Sequence, residues 1–185
     1  MEDNVLAAAA ANGDQDAFAT LVERYRSYIY TIAYKIALNE DDALDIVQQV
    51  FLRLVEKIGS FRMEGSFQGW VAAITTNEAL SLLRKSSRRE ISTEPEMVAR
   101  MSEEQQERDG SNGEALKTLE ARERRKLVEG AMHTLSPQQR AILTLKLSED
   151  LGPLDISVRL GLPASQVRSQ LHRAIERLRE MMNHK

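Results

Sequence analysis

Residues 163–182 read PASQVRSQLHRAIERLREMM, and their pattern is that of an amphipathic helix. The apolar residues recur about every 3.6 positions, as they do on the buried side of a helix. The opposite side is polar and basic. The apolar set is Val167, Leu171, Ala174, Ile175, Leu178, Met181 and Met182, and the polar set is Ser165, Gln166, Arg168, Ser169, His172, Arg173 and Arg177.

A second, shorter apolar helix is predicted upstream, at about residues 154–160, followed by the turn Gly161-Leu162-Pro163. Two helices joined by a tight turn that contains glycine form a helix-turn-helix unit, whose second helix enters the DNA major groove. Arg can bind guanine through two hydrogen bonds, Gln can bind adenine, and Ser can reach a phosphate or a base. A solvated surface is the simpler interpretation for any single arginine, but the whole arrangement favours DNA binding.

The composition of the 185 residues favours an all-helical fold. Hydrophobic residues make up 42% and aromatic residues 5% of the chain, and β-branched runs are scarce. No apolar run has the length of a membrane span, and the acidic start at residues 1–4 does not resemble a secretory signal, so a cytoplasmic protein is expected. Cysteine is absent, which excludes disulfides, thiol catalysis and cysteine-bound zinc.

The charge is unevenly distributed along the chain. The net charge of −3 combines −4 in residues 1–85, −3 in residues 86–113 and +4 in residues 114–185. The C-terminal part therefore carries the field that attracts phosphates. The acidic N-terminal part suggests a protein partner, or a weak affinity for DNA when the chain is alone.

Two small helical domains are predicted, at residues 1–89 and 114–185, joined by a flexible linker at residues 90–113. The linker is polar and acidic, contains Pro95, and lacks a sustained apolar stripe. The first domain is predicted to hold helices at about residues 5–11, 14–38, 42–58 and 67–85. The predicted apolar face of the third helix is Ala43, Ile46, Val47, Val50, Phe51, Leu54, Val55 and Ile58.

The second domain is predicted to begin with a helix that reaches about His133. The run Ser136-Pro137-Gln138-Gln139 then places Ser at the N-cap, Pro at the first helical position and Gln at the third, which is a strong helix start. That helix is expected to end near Leu147 and to precede the helix-turn-helix unit.

No catalytic or metal site is predicted. His133, His172 and His184 are widely separated, and no zinc-binding, P-loop or dinucleotide-binding motif occurs. The acids at Glu40, Asp41, Asp42 and Asp45 open a predicted helix, where they favour its positive end. Neither an enzyme activity nor a cofactor is therefore expected.

Three stretches resemble the bacterial sigma-70 family of RNA polymerase sigma factors. Residues 42–54, DALDIVQQVFLRL, resemble conserved region 2.2, and residues 67–85 are similar to regions 2.3 and 2.4. Residues 135–140 and 167–174 resemble region 4. Because only these two parts of the family pattern occur, the chain resembles the extracytoplasmic-function (ECF) group.

The resemblance implies a factor that binds core RNA polymerase and directs it to promoters. The helix from Asp42 would dock on the clamp helices of the largest catalytic subunit, and the second domain would sit on the flap of the other large subunit while reading the −35 element. The residues implied for core binding are Asp45, Gln48, Gln49 and Arg53. Those implied for the −35 element are Arg168, Ser169, His172 and Arg173, with Ser165 and Gln166 on the same face.

The first domain would open the −10 element, which needs a pocket for an unstacked base. Phe61, Arg62 and Asn77 match that pocket, and Arg84 and Lys85 would hold phosphates. A large apolar residue in a short loop, such as Phe61, also commonly packs back onto the core. An anti-sigma factor, often membrane-bound, is a further expected partner; it would sit between the two domains and could hold the protein near the membrane.

Some positions depart from the family pattern, and two other functions stay open. Val55 stands where Trp is common, Ser81 where an acid is common, Gly152-Pro153-Leu154 where Ser-Tyr-Glu is usual, and Gln170 where Arg is common.

An ordinary helix-turn-helix regulator would bind its operator alone, usually as a dimer. A helical adaptor that binds only proteins would tolerate alanine at Arg168 and Arg173.

Overall fold

The computed structural model describes residues 2–61, 65–92 and 128–183, and within these ranges the chain is helical and contains no strand. Residues 128–133 form one helical segment. The longer elements are α1 (Asp3–Ala11), α2 (Gln15–Ala37), α3 (Glu40–Lys57), α4 (Phe67–Ser92), α5 (Pro137–Glu149), α6 (Pro153–Leu160) and α7 (Ala164–Asn183), with a 3₁₀ turn at Ile58–Ser60. The predicted all-helical fold is confirmed.

Helix starts lie where short polar side chains can accept hydrogen bonds from free backbone N–H groups. The carboxylate of Asp14 accepts from the N–H of Ala17 at 3.0 Å. The side-chain oxygen of Asn39 accepts from the N–H of Asp42 at 2.9 Å. Ser136 and Gln139 form the predicted reciprocal capping box at the start of α5. These caps explain why the predicted starts of α2, α3 and α5 are right to within three residues.

Helices α1 to α4 pack together as the first unit. Their buried apolar side chains include Ile29, Ile32, Ile46, Val50 and Val71. Val55 was predicted on the buried face of α3, but it is 61% exposed. Leu54, its neighbour, occupies the buried position, and consecutive helical residues point about 100° apart, so the buried stripe is narrower than predicted.

Helix α4 continues to Ser92, past the predicted end near Lys85 and into the first residues of the predicted linker. Residues 86–92 contain neither Pro nor Gly, and the first proline comes at Pro95. The helix therefore meets no residue that would break it before Ser92. The rest of the predicted linker, and the predicted helix up to residue 127, lie outside the described residues.

Residues 128–133 and helices α5 to α7 form the second unit. Leu135, Leu143 and Ala174 are buried in one cluster, with Met132, Leu171 and Leu178 packed against it. Val167 and Ala174 are fully buried, so the predicted apolar face of α7 is confirmed at those positions, whereas Met181 at the far end is 43% exposed.

The two units pack against each other, which the sequence did not predict. Ile142, Leu145, Ile156 and Val167 of the second unit belong to the same buried cluster as the core of the first unit. Elements α2 and α4 contact α5, and α4 also contacts α6. The apolar core is therefore continuous across the two predicted domains.

A buried arginine joins the units at the C-terminal end of α2. Arg140 on α5 is 8% exposed, its Nε donates to the carbonyl oxygen of Ile36 at 2.6 Å, and its Nη1 donates to that of Leu135 at 2.9 Å. The last carbonyl groups of a helix carry partial negative charge and favour a cation there. Burial lowers the pKa of Arg140 below its ordinary value, because it removes water from around the guanidinium group.

Glu149, at the end of α5, makes a second polar contact between the units. Its carboxylate accepts hydrogen bonds from the hydroxyl of Tyr28 on α2 and from Nε2 of Gln68 on α4, the latter at 3.1 Å. Burial, and then the bond to Glu149, raise the pKa of Tyr28 above its ordinary value. The hydroxyl of Tyr28 therefore holds its proton more strongly than that of a solvent-exposed tyrosine.

Candidate nucleic-acid interface

Helix α7 presents its polar face to solvent. Gly161, with φ of 63°, makes the left-handed turn that ends α6, and α7 then begins at Ala164. Val167 and Ala174 fix the opposite face in the core. The exposed candidates for DNA contact are Ser165, Arg168, Ser169, His172 and Arg173. The helix-turn-helix geometry predicted from the sequence is therefore present, with a basic outer face.

Gln166 differs from the other candidates on α7. It is half-buried, and its Nε2 lies 3.4 Å from Oε1 of Gln138 near the start of α5. Its amide would have to leave this weak contact before it could bind a base edge. The other five side chains need no such rearrangement.

Helix α6 is short, and its outer surface is unusually apolar. Ile156 is fully buried, whereas Leu154 and Val158 are 65% and 82% exposed. Asp155 accepts a hydrogen bond from the N–H of Gly152 at 3.3 Å, and Pro153 occupies the first helical position. Helix α6 therefore still forms, although Gly152-Pro153-Leu154 stands where the family usually has Ser-Tyr-Glu.

Two of the candidates on α4, Asn77 and Arg84, lie beside the second unit. Asn77 is exposed, but its Nδ2 donates to the backbone oxygen of Arg159 on α6 at 2.9 Å. Arg84 and Lys85 are both exposed. The Nε of Arg84 donates to the backbone oxygen of Leu80 at 3.0 Å. Arg62 lies outside the described residues.

Phe61 packs into a cluster of aromatic rings. Its ring centroid lies 5.4 Å from that of Phe67 and 5.4 Å from that of Trp70, and Tyr25 meets Phe67 edge to face at 5.2 Å. Phe61 is half-buried, so part of its ring remains available. The simpler prediction for this loop residue, packing onto the core, describes its position.

A cleft of about 520 Å³ separates the exposed side of α4 from the second unit. Asn77 and Arg84 line one wall. The opposite wall comprises Ser136, Pro137, Gln138, Leu160 and Leu162. Two of the candidate residues for the −10 element, Asn77 and Arg84, thus face the helix-turn-helix unit across a narrow space.

Helix α3 presents a second polar face to solvent, with Asp45, Gln48, Gln49 and Arg53 all exposed. Arg53 is held in place, since its Nη1 lies 2.9 Å from Glu56 and its Nε lies 3.0 Å from Glu78 on α4. These two carboxylates raise the pKa of Arg53.

Apolar residues on the same side of α3 were not recognised from the sequence as part of this surface. Leu44, Leu52 and Val55 are 47%, 59% and 61% exposed. Together with Gln48 they form a line along the helix at spacings of three and four residues. An exposed apolar line with polar neighbours is typical of a protein-binding surface. The sequence offered one sign of this surface: Val55 stands at a position where the family commonly has Trp.

Neither a metal site nor a membrane span is found in the parts of the chain that the structure describes. No three acidic or histidine side chains there come together as a metal would require. None of the helices in those parts combines the length and apolar character needed to cross a bilayer.

Two family models match the chain. The model of sigma-70 region 2 matches residues 21–89, and that of sigma-70 region 4 matches residues 125–178. Together they cover more than half of the chain. The first match contains α3 and most of α4, and the second contains α5, α6 and most of α7.

The chain is also similar to proteins of known role. It is 30% identical over 93% of its length to the ECF RNA polymerase sigma factor SigE of Mycolicibacterium smegmatis, and spans 65% of that protein. It is 28% identical to the ECF RNA polymerase sigma factor SigW of Bacillus subtilis, over 92% of this chain and 91% of that one. Its fold resembles that of the sigma factor RpoE of Bartonella quintana, which was solved with the anti-sigma factor NepR. The TM-score is 0.65 at 20% sequence identity, over 90% of this chain and 96% of that one.

Proposed function

Because this chain belongs to the ECF group of the sigma-70 family, we propose that it binds core RNA polymerase and directs it to start transcription at specific promoters. It is thus a regulator of transcription rather than an enzyme. The observation that carries the proposal is the presence, in one chain, of an exposed mixed polar and apolar face on α3 and an exposed basic face on α7.

The face of α3 is the proposed docking surface for core polymerase. Leu44, Leu52 and Val55 would be covered by the clamp helices, while Asp45, Gln48, Gln49 and Arg53 surround them with polar contacts. Protein interfaces commonly combine an apolar centre with such a polar rim. The ion pairs of Arg53 with Glu56 and Glu78 hold its guanidinium group ready before binding.

The face of α7 is the proposed reader of the −35 element. Arg168 and Arg173 would supply the strongest base contacts, and Ser169 and His172 lie between them. The second unit would at the same time rest on the flap of the other large polymerase subunit. Basic residues predominate in residues 114–185, which supports binding to a phosphate backbone.

Helix α4 is the proposed holder of the opened −10 element. Asn77 would bind an unstacked base, and Arg84 and Lys85 would bind phosphates. Phe61, with one side of its ring packed on Phe67 and Trp70, would form an apolar wall. The proposed domain division at residues 1–89, 90–113 and 114–185 assigns one promoter element to each helical unit.

We also propose an anti-sigma factor as a partner, because the Bartonella protein of similar fold was solved with one. The location we propose is the bacterial cytoplasm, where polymerase and DNA are available, with membrane tethering only through such an inhibitor.

The test is transcription of genomic DNA by core polymerase, with and without the chain, followed by sequencing of transcript starts. We expect a set of starts that core polymerase does not make alone, sharing two sequence elements.

In a parallel binding assay, Leu52→Glu should lower affinity for core polymerase at least tenfold, because it puts a charge at the centre of the docking surface. Glu23→Ala, at an exposed position of α2, is the control. Absence of both binding and new starts would overturn the proposal.

A further inference from the structure

Asn4 on α1 contacts the chain 61 and 63 residues further on, where α4 begins. Its Nδ2 donates to the backbone oxygen of Gly65 at 3.0 Å, and its Oδ1 accepts from the backbone N–H of Phe67 at 2.8 Å. One amide group thus uses a donor and an acceptor on the two residues that flank Ser66. These bonds tie the backbone at the start of α4 to α1.

The N–H groups in the first turn of α4 are satisfied from two different places. Such groups have no carbonyl partner within their own helix. The hydroxyl of Ser66, just before α4, accepts from the N–H of Gly69 at 3.0 Å. The N–H of Phe67 is bound by Asn4 instead. The start of α4 is therefore fixed partly by a local serine and partly by a side chain from another helix.

Helix α1 is itself held on α2. The carboxylate of Asp3 accepts from the hydroxyl of Tyr25 at 2.6 Å and forms an ion pair with Arg24. Leu6, on the next turn of α1, is buried. Asn4 therefore binds the start of α4 from an element that is anchored in the first unit.

Phe67 connects this contact to the proposed wall of the −10 pocket. Phe67 is 1% exposed, and its ring meets that of Phe61 edge to face at a centroid distance of 5.4 Å. The ring of Trp70 lies 5.6 Å from that of Phe67 and 5.4 Å from that of Phe61. Aromatic pairs have preferred arrangements, so a shift of Phe67 would move the two rings packed on it.

We propose that Asn4 is a positioning residue for recognition of the −10 element, because by holding Gly65 and Phe67 it sets where the ring of Phe61 meets the unstacked base. The inference rests on the proposed function for the role of Phe61. Asn4 acts through Phe67 and does not itself contact DNA. A site discriminates between ligands only when its walls are held in place, so loss of this amide should lower base discrimination.

The fluorescence of Trp70 tests the positioning step without polymerase or DNA. Trp70 is the only tryptophan of the chain, and it is half-buried against Phe61 and Phe67. In the full-length chain, Asn4→Ala should shift the emission to longer wavelength and make quenching by acrylamide steeper, because both hydrogen bonds are lost. Asn4→Asp keeps an acceptor for the N–H of Phe67, and a negative charge is favoured at a helix start, so most of the shielding should remain.

Discrimination between promoters tests the functional step. The template is a promoter found by transcript sequencing, with single base substitutions in its −10 or its −35 element. With Asn4→Ala, the factor by which a −10 substitution lowers transcription should shrink about threefold, which is the loss of one modest hydrogen bond. The factor for a −35 substitution and the affinity for core polymerase should not change. Such ratios do not depend on the amount of folded chain, so general damage would leave them unaltered, and Asn4→Asp should restore most of the −10 discrimination.

Asn12→Ala is the matched control. Asn12 is an exposed asparagine directly after α1, and its Nδ2 donates to the backbone oxygen of Ala8 in the same helix at 3.0 Å. Its replacement should change neither the fluorescence of Trp70 nor the −10 discrimination.

The outcomes separate the positioning role from the proposed function. If the natural chain directs new starts but Asn4→Ala leaves Trp70 shielded or the −10 discrimination intact, the positioning role is wrong and the proposed function stands. An equal loss of −10 and −35 discrimination would also overturn the positioning role. If Trp70 becomes exposed in Asn4→Ala but the natural chain gives core polymerase no new starts, the proposed function fails and the assignment of Asn4 to the −10 element fails with it.

Discussion

Helices α4 and α7 carry the two proposed DNA-binding faces, yet their surroundings differ. On α7, Arg168 and Arg173 point to solvent, and nothing among the described residues covers them. On α4, Asn77 is hydrogen-bonded to Arg159 and faces the second unit across a narrow cleft. One face is available in the free chain and the other is occupied by the protein itself.

The proposed function combines two tasks, reading a DNA duplex and holding an opened strand, and the two helices differ in how ready they are for them. Reading a duplex needs only an exposed helix, and α7 already provides one. Holding an opened strand needs a pocket, and opening DNA costs energy that is recovered only when the bases are bound.

The largest expected effect follows from Arg140→Ala, which removes the buried cation between α2 and α5. The carbonyl oxygens of Ile36 and Leu135 would lose their partners and a cavity would remain, so we expect a loss of about 2–4 kcal/mol in the free energy of unfolding. Urea unfolding followed by circular dichroism measures it.

Lys146→Ala is the matched control for Arg140→Ala. Lys146 lies on the same helix and pairs with Asp150, whose side chain is 95% exposed, so its loss should change stability by less than about 0.5 kcal/mol. Equal losses for the two variants would mean that Arg140 does not join the units.

A smaller effect distinguishes α7 from α4 in DNA binding by the free chain. With a duplex carrying the upstream element found by transcript sequencing, Arg168→Ala and Arg173→Ala should each weaken binding by about 1–3 kcal/mol if the arginine contacts a base. Arg84→Ala and Lys85→Ala should have little effect on this duplex. Both pairs of variants should lower transcription by the polymerase complex.

Fluorescence anisotropy with labelled duplexes at fixed salt gives these affinities, since phosphate contacts make binding salt-dependent. Arg179→Ala, near the end of α7, is the control for loss of charge. If the α4 variants weaken duplex binding as strongly as the α7 variants, the comparison between the two helices is wrong.

The sequence predicted the helices well because their signals are local. The polar side chains at Asp14, Asn39 and Ser136 act within three residues of themselves, so no knowledge of the fold is needed to recognise a helix start. The basic face of α7 likewise follows from the helical period. Prediction of α4 failed only at its end, where no breaker marks the last residue.

The contacts between the units could not be predicted in this way. One of the two partners of Arg140 is the backbone oxygen of Ile36, 104 residues away in the sequence. Arg159 likewise bonds to Gly69, 90 residues away, and backbone oxygens leave no mark in a sequence. Gly69 was the one available signal, because glycine near a helix start admits close approach of another group.

The smallest expected effect is on stability, and it is seen by comparing one aspartate in each unit, Asp3 and Asp150. In the first unit, partial burial of Asp3 acts to raise its pKa, but the hydrogen bond from Tyr25, 2.6 Å away, and the ion pair with Arg24 outweigh this and hold the pKa below its ordinary value of 3.8. In the second unit, Lys146 lowers the pKa of Asp150, whose side chain is almost fully exposed.

A depressed pKa makes the charged form of Asp3 stabilise the folded chain at neutral pH, and this contribution disappears as the pH falls below about 4 and through the folded-state pKa. Asp3→Asn should therefore lower stability at pH 7 by less than about 1 kcal/mol, since the side chain is 32% exposed, and the difference should shrink toward zero in acid. Asp150→Asn should differ little from the natural chain at either pH, because solvent screens its pair. Urea unfolding of both variants at pH 7 and at pH 3 measures this. A constant difference for Asp3→Asn at both pH values would show that the charge of the Asp3 carboxylate contributes nothing to stability.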